Sequence, residues 1–114
     1  MDKCIFCMIA NGEIPTNKAY EDDKVIAFYD LEPQAPVHVL IVPKKHYESI
    51  LAVPAEESCV VGHMFQVASK LANELGIAEK GFRLVINTGK DGGQSVPHQH
   101  LHMTGGREHG WPAG

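Results

Sequence analysis

The chain lacks the features that direct a protein to a membrane or to a long nucleic acid. Its 114 residues carry 10 Lys and Arg against 14 Asp and Glu, a formal net charge of -4. No segment has the roughly 20 apolar residues that a membrane-spanning helix needs, and no basic stretch precedes an apolar run at the N-terminus. Acidic proteins rarely wrap a phosphate backbone. We therefore expect a cytoplasmic protein with neither a membrane nor a nucleic-acid partner.

Cysteine is scarce as well. The three cysteines are Cys4 and Cys7, which form a C-x-x-C motif, and Cys59. An odd number with this spacing does not resemble the disulfide framework of small extracellular proteins. Cys4 and Cys7 could pack as small apolar side chains, act as a redox pair or bind a metal. The two residues by themselves leave these alternatives open.

Repeats, low-complexity tracts and linker-like segments are also missing. A chain of 114 residues with 44% hydrophobic content can fill one core but is too short for two. We therefore expect a single domain over residues 1–114.

The hydrophobic pattern predicts one long helix among short strands. Apolar residues recur at helical spacing from Pro54 to Leu75, and Gly76 can end that helix. A shorter helix is expected over residues 4–11. Strands are expected at 19–21, 24–30, 37–42, 82–87 and 96–103. This combination predicts an α+β fold in which an antiparallel sheet is covered on one face by the long helix.

The most informative pattern is a row of three histidines, His98, His100 and His102. In a strand this spacing places all three rings on one face and sends Gln99, Leu101 and Met103 to the other. A buried strand face normally carries aliphatic residues, so polarisable rings there indicate proton transfer, metal binding or attack on an electrophile. An isolated histidine, such as His63 or His109, is more often a surface or hydrogen-bonded residue.

Other short motifs accompany this row in a fixed order. They are Ile5-Phe6, Gly12-Glu13-Ile14-Pro15, Tyr20-Glu21-Asp22-Asp23, Ala27-Phe28, Pro33-Gln34-Ala35-Pro36, Ile41-Val42-Pro43-Lys44-Lys45-His46, Gly92-Gly93-Gln94-Ser95-Val96, Gly105-Gly106-Arg107 and Trp111-Pro112. Together with the histidine row they resemble the histidine triad (HIT) superfamily, specifically its Hint branch of nucleoside phosphoramidases. The resemblance covers nearly the whole chain. It implies the HIT fold, a five-stranded antiparallel sheet with one long helix and a short N-terminal helix.

The resemblance also implies a division of labour among the catalytic residues. His100 matches the family nucleophile, whose neutral imidazole attacks the α-phosphorus and forms a transient nucleotidyl-histidine that water then hydrolyses. His102 and His38 match positions that support this site. Ser95 matches a hydroxyl near the leaving group.

A purine nucleotide, similar to AMP, is the implied ligand. Asp30 matches the acid that reaches the ribose, and Asn87 matches a polar residue near the ribose and phosphate. Simpler interpretations exist: Asp30 could form a turn, Gly92-Gly93 a hairpin turn, and Ile9 plain core. The implied nucleotide contacts are Ile5, Phe6, Ile9, Phe28, Asp30, Leu31, Asn87, Gly93, Gln94, Ser95, Val96, His100, His102 and Trp111.

The same resemblance bears on the cysteine pair. Bacterial-type relatives hold zinc with such a pair, the histidine of a Pro-Lys-x-His segment and the first triad histidine; here these are Cys4, Cys7, His46 and His98. Two thiolates and two imidazoles form a closed tetrahedral set, which implies a structural zinc and no organic cofactor. Pro97 departs from the aromatic residue common at its position and removes a backbone donor just before the triad.

The predicted activity is hydrolysis of the P–N bond of purine nucleoside 5′-phosphoramidates, with adenosine preferred. The resemblance further implies a homodimer whose sheets join, with Trp111 near the partner's active site. One alternative is a zinc-bearing regulatory or scaffold protein that binds AMP with little turnover. Another is a metal-dependent hydrolase in which the three histidines hold a catalytic zinc.

Overall fold

The computed structural model describes residues 4–114, in which five strands, two α-helices and two short 3₁₀ helices follow one another. The α+β architecture predicted from the sequence, with one long and one short helix, is confirmed. The elements are α1 (Ile5–Ala10), β1 (Lys18–Glu21), β2 (Val25–Tyr29), β3 (Val37–Pro43), the 3₁₀ turns Ile50–Ala52 and Ala55–Glu57, α2 (Cys59–Glu74), β4 (Phe82–Val85) and β5 (Leu101–Gly105).

The strands form one antiparallel sheet in the order β1-β2-β3-β5-β4. Between the neighbouring strands β3 and β5, His38 is opposite Thr104 and Leu40 is opposite His102. Register partners share a face, and so do residues two apart on one strand. The sheet therefore brings His38 and His102 to the same face from distant parts of the sequence.

The opposite face of the sheet packs against α2. Buried residues of the helix recur at the spacing expected for one helical face, as the sequence predicted, and Gly76 follows the helix with φ +76°. Leu101 and Met103 join this core, on the side that the alternation of β5 predicts for them. The fully assembled core contains Val25, Ala27, Val39, Ile41, Met64, Val67, Ala68, Leu71, Ala72, Ile77, Leu101 and Met103.

A second, smaller core lies on the histidine side of the sheet. Phe6 and Ile9 of α1 pack against Ile26, Phe28, Leu40 and Val42 of β2 and β3. The Phe6 and Phe28 rings meet edge to face, with centroids 5.5 Å apart. The short helix thus covers part of the face that the sequence analysis left open, and it carries the cysteine pair to that face.

The long helix begins later than predicted. The segment from Pro54 was expected to be its first turn, but Ala55–Glu57 forms a 3₁₀ turn and α2 starts at Cys59. The Glu57 carboxylate accepts hydrogen bonds from the Tyr47 hydroxyl, at 2.6 Å, and from Lys45. These bonds tie the turn to the loop after β3.

The predicted strand at 96–103 is also displaced. Strand β5 runs from Leu101 to Gly105, because Pro97 lacks an N–H and the next two N–H groups bond elsewhere. The His98 N–H donates to the Val96 carbonyl at 2.8 Å, and the Gln99 N–H donates to the Tyr47 carbonyl at 2.7 Å. Strand β4 likewise ends at Val85 instead of Asn87, since Val85 pairs with His102 near the start of its partner strand.

No helix among the described residues is long and apolar enough to cross a membrane.

Candidate functional site

Two cysteines and two histidines meet beside the start of α1. The Nδ1 atom of His98 lies 3.3 Å from Cys4 Sγ, 3.6 Å from Cys7 Sγ and 3.1 Å from His46 Nδ1. Cys7 Sγ lies 3.3 Å from His46 Nδ1. Zinc bonds of about 2.3 Å to sulfur and about 2.0 Å to nitrogen place neighbouring ligands of a tetrahedral ion roughly 3.3 to 3.8 Å apart. The four atoms therefore have a spacing suited to one small cation. We call this set the Cys/His cluster.

The hydrogen bonds of His98 leave Nδ1 free to act as a ligand. Its other ring nitrogen, Nε2, donates a proton to the Pro43 carbonyl at 2.8 Å, so the neutral ring has its lone pair on Nδ1. His98 is fully buried. Burial, together with the positive charge of neighbouring histidines, lowers the pKa of His98 to about 4, which keeps the ring neutral.

The cysteine thiols complete the donor set. Burial and the neighbouring Cys4 raise the pKa of the Cys7 thiol to about 11. Two thiolates this close together need a cation to offset their charge, since metal ligation and thiol deprotonation are coupled. The donor set thus fits the thiophilic, imidazole-binding ion Zn²⁺.

Local structure fixes where the ligands lie. Cys4 caps the N-terminus of α1, with its sulfur accepting the Cys7 N–H at 3.4 Å. His46 lies in the loop after β3, and the buried Tyr47 beside it anchors that loop through Glu57. This anchor has no recognisable signal in the sequence, since it depends on a single Tyr and a single Glu ten positions apart.

The buried ring of His100 has one nitrogen bonded to the backbone. Its Nδ1 donates a proton to the His98 carbonyl at 2.7 Å. The neutral ring therefore has its lone pair on Nε2, the form that a nucleophilic imidazole requires. The Phe6 ring contacts His100 edge to face, with centroids 5.1 Å apart.

His102 is joined to the upstream His38. His38 Nε2 and His102 Nδ1 are 3.0 Å apart, and the Gln34 backbone N–H donates to His38 Nδ1 at 3.0 Å. An acceptor at Nδ1 means that neutral His38 has its proton on Nε2 and donates it to His102 Nδ1. Neutral His102 then has its proton on Nε2. The Asp30 carboxylate lies 3.5 Å from His38 Nε2, which favours the same arrangement.

Both of these rings are held neutral. Burial, with His100 and His38 adding to it, lowers the pKa of His102 to about 4. Burial also lowers the pKa of His38, against the opposing effect of Asp30. At neutral pH the pair therefore acts through hydrogen bonds of defined direction.

The rings of His98, His100 and His102 do not point their nitrogens at one common position. His98 Nδ1 faces the cysteines, whereas His100 Nδ1 is bonded to a carbonyl. Asp30, His38 and His102 also lie close enough to hold a metal, but His38 Nε2 carries a proton and offers no lone pair. The geometry therefore does not support the alternative of a catalytic zinc held by the triad.

Comparisons with known proteins identify the family of this chain. A family model for the HIT domain matches residues 11–109. The chain belongs to the HIT family. Among its relatives, the purine nucleoside phosphoramidase of Escherichia coli K12 is 46% identical over 106 residues, covering 93% of this chain and 89% of the relative. An uncharacterized HIT-like protein of Synechocystis is 48% identical over 110 residues, covering 96% of each chain.

Solved structures of HIT proteins share the fold. A histidine triad protein from Clostridium difficile superposes with a TM-score of 0.94 at 51% identity, covering 96% of both chains. A HIT family hydrolase from Legionella pneumophila superposes with a TM-score of 0.96 at 47% identity, covering 98% of this chain and 100% of that one. The HIT fold and family predicted from the sequence are confirmed.

The apolar residues expected to contact a base fall into two groups in this HIT protein. Phe6, Ile9 and Phe28 are buried in the smaller core, against which Val96 packs. Ile5 is 46% exposed, Leu31 95% and Trp111 85%. In the first group Phe6 contacts the His100 ring, and the second group is exposed to solvent. Their role in nucleotide binding stays a prediction.

The loop before the triad uses its own polar atoms to hold its shape. A Cβ at Gly92 would lie 2.3 Å from the Thr88 carbonyl oxygen, so glycine is required there. The Gly93 N–H donates to the Lys90 carbonyl at 3.1 Å, and the Gln94 amide bonds Glu48 O at 2.7 Å. These bonds hold the loop and tie it to the segment after β3, and the nucleotide contacts expected at Gly93 and Gln94 stay predictions. Ser95 is exposed.

Two further polar contacts were missed by the sequence analysis. Arg107 Nε donates to the Gln34 carbonyl at 2.9 Å, and Thr104 Oγ1 contacts His109 Nε2 at 2.8 Å. Both Gln34 and Arg107 belong to the motifs of the family resemblance, and this was the available signal. Asn87 lies two residues beyond β4 and is half-buried.

Proposed function

We propose that this HIT protein hydrolyses the P–N bond of purine nucleoside 5′-phosphoramidates, with adenosine derivatives preferred. The observation that carries the proposal is the hydrogen bond from His100 Nδ1 to the His98 carbonyl, which leaves Nε2 as a free nucleophile. The name of the 46% identical relative from Escherichia coli, purine nucleoside phosphoramidase, supports the same chemistry.

The reaction proceeds in two displacements. His100 Nε2 attacks the phosphorus, so a new N–P bond forms while the P–N bond to the amine breaks, and the departing amine takes a proton from water near the exposed Ser95 hydroxyl. The hydroxide left from that water then attacks the phosphorus, the bond to His100 breaks, and the nucleoside monophosphate is released with the neutral ring restored. The Nε2–H of His102, whose ring centroid is 4.9 Å from that of His100, donates to a phosphoryl oxygen as negative charge develops.

The nucleoside has complementary partners on the same face. Asp30 accepts the Glu32 N–H through Oδ1 at 2.8 Å and has Oδ2 available for a ribose hydroxyl. Phe6, Ile9 and Phe28 supply apolar area for a purine base, with Ile5 and Leu31 at its margin. Asn87 serves the ribose and phosphate.

Turnover of a fluorogenic adenosine phosphoramidate tests the function. We expect His100→Ala to lose at least about 10³-fold in kcat, the scale of a covalent catalytic residue, and to form no nucleotidyl adduct detectable by intact mass. His63→Ala is the matched control, because His63 pairs with Asp22 outside the site. Equal rates in wild type and His100→Ala would refute the proposal. Tight AMP binding by a wild type without turnover would instead favour the regulatory alternative.

A structural zinc at the Cys/His cluster is part of the proposal. Cys4, Cys7, His46 and His98 would hold it, and as a closed four-ligand site it would supply stability without taking part in the displacement. The His98 Nε2–H bond to Pro43 is the outer contact that orients such a ligand.

Metal content tests the zinc assignment. The purified protein should contain close to one zinc per chain, and the double variant Cys4→Ser, Cys7→Ser should contain little. Cys59→Ser is the matched control, because Cys59 is an exposed free cysteine at the start of α2. Full zinc occupancy in the double variant would exclude the proposed ligands.

A homodimer completes the proposal. β1 and β4 are the two edges of the sheet, and an unpaired edge invites pairing with a second copy. Trp111, which is 85% exposed, would then approach the partner's site. Light scattering coupled to gel filtration should give twice the mass of one chain, and a monomer at micromolar concentration would refute this part.

A further inference from the structure

The hydrogen-bond partner of His38 decides what His102 presents to a substrate. Gln34 N–H occupies His38 Nδ1, His38 Nε2–H points to His102 Nδ1, and each step is 3.0 Å long. The chain of donors therefore runs in one direction, from the Gln34 backbone through His38 to His102, and ends in a proton on His102 Nε2.

The opposite direction would reverse the chemistry. If His38 carried its proton on Nδ1, its Nε2 would be an acceptor and His102 would have to donate through Nδ1. His102 Nε2 would then hold a lone pair, which repels a phosphoryl oxygen instead of stabilising it. In the folded chain this alternative would place two N–H groups against each other at the Gln34–His38 contact.

The Gln34 backbone is itself held by the segment that follows β5. Arg107 Nε donates to the Gln34 carbonyl at 2.9 Å. Gly106, with φ +89°, allows close packing, because a Cβ there would lie 3.0 Å from Pro36 Cβ. The Gln34 side chain turns away from His38 and donates to the Glu32 carbonyl at 3.0 Å. The segment after β5 and the 31–36 loop are thus in contact at two points.

We propose that Arg107 and the Gln34 backbone N–H form a tautomer lock, in which Arg107 holds the loop and the N–H fixes His38 and, through it, His102. Both are positioning residues, since neither reaches the reacting atoms. The catalytic consequence rests on the proposed function, whereas the tautomer assignment does not. The titratable groups that face this pair are Asp30, beside His38, and His100, beside His102.

Ring ¹⁵N chemical shifts at neutral pH test the lock directly. We expect the wild type to show the Nε2–H tautomer for both His38 and His102. Gln34→Pro removes the N–H and should produce mixed tautomers, whereas Gln34→Ala retains the N–H and should keep the wild-type pattern. Arg107→Ala should shift the populations in the same direction as Gln34→Pro, and Arg107→Lys should not restore them, because lysine lacks the planar fork.

The tautomers observed in the wild type and in the variants decide whether the lock exists. A wild type with His38 protonated on Nδ1 would overturn the lock without any variant, so the test does not depend on Gln34→Pro folding. A folded Gln34→Pro or Arg107→Ala protein with unchanged tautomers would also overturn it. With phosphoramidate as substrate, we expect kcat to fall at least about tenfold in Gln34→Pro with a smaller change in KM. Correct tautomers in a wild type without turnover would refute the proposed function and leave the lock intact.

Discussion

Two histidine clusters lie on the same face of one sheet, and the backbone groups bonded to them give them opposite hydrogen-bonding roles. In the Cys/His cluster, a carbonyl accepts the Nε2 proton of His98 and turns its lone pair toward the cysteines. In the His38–His102 pair, a backbone N–H occupies the lone pair of His38 and leaves it a donor. The first arrangement suits a cation and the second suits directed proton donation. Residue type alone does not distinguish them.

The two clusters are nevertheless linked through His100 and Phe6. The His98 carbonyl accepts the His100 Nδ1 proton, so a member of the Cys/His cluster decides which nitrogen of the proposed nucleophile is available. The Phe6 ring, between the two cysteines in the chain, contacts His98 and His100 with centroid distances of 5.9 Å and 5.1 Å. Substitutions in one cluster can therefore test whether the other cluster is independent of it.

The largest expected effect is the loss of kcat when His102 is replaced. His102→Ala should lower kcat for adenosine phosphoramidate by roughly 10²- to 10⁴-fold while the zinc content stays unchanged, because it removes the donor at the phosphoryl oxygen. His46→Ala should remove most of the zinc with a smaller loss of kcat. Paired measurements of kcat and metal content check this, and equal losses of both quantities in both variants would show that the clusters act as one unit.

Metal removal should mainly change stability. A bound ion present at about 100 times its Kd contributes about 2.7 kcal/mol, which for a domain near 100 residues corresponds to a fall in Tm of roughly 10 to 20 °C. Calorimetry with and without a chelator measures this fall. The Cys4→Ser, Cys7→Ser variant supplies the control, since its Tm should not respond to chelator. A chelator-insensitive Tm in zinc-loaded wild type would contradict the structural role.

Acid stability should distinguish the buried pair from an ordinary histidine. The pKa of folded His102 is lowered to about 4 from its usual 6.5, so the unfolded chain binds the proton first as the pH falls. His102 should therefore lower the free energy of unfolding progressively between pH 6.5 and pH 4, with no further loss below that. Urea unfolding of His102→Gln should show a shallower decline over this window than wild type. Because both proteins retain the Cys/His cluster, their difference reports on the His38–His102 pair, and identical slopes would contradict the prediction.

The smallest expected effect concerns Phe6, which contacts both His98 and His100. Phe6→Leu retains apolar volume but removes the ring edge from His98 and His100, and should lower the free energy of unfolding by about 1 kcal/mol. We expect the zinc content to remain and kcat to fall only a few-fold, about 2- to 5-fold on the usual scale of a lost aromatic contact. Ile26→Val, in the same core but with no proposed nucleotide contact, is the matched control. A kcat loss as large as that of His102→Ala would show that Phe6 couples the clusters strongly.

The regular parts of the fold could be predicted because they depend on local periodicity. The apolar spacing of α2 and the alternation of β2 and β3 were recognisable, and Leu101 and Met103 lie on the side that alternation assigns to them. The boundaries were wrong where distant groups compete for the backbone. The Glu57 carboxylate accepts a hydrogen bond from the Tyr47 hydroxyl, and the Gln99 N–H donates to the Tyr47 carbonyl. Neither contact has a signal in the local sequence.

The order of motifs along the chain determined the family and the fold, and it supplied the candidate site residues. The tertiary structure decided which nitrogen of each ring is available, because that depends on a carbonyl or N–H brought from elsewhere: Pro43 for His98, and Gln34 for His38. A histidine codon specifies a ring with two nitrogens, and only the folded backbone assigns the proton to one of them.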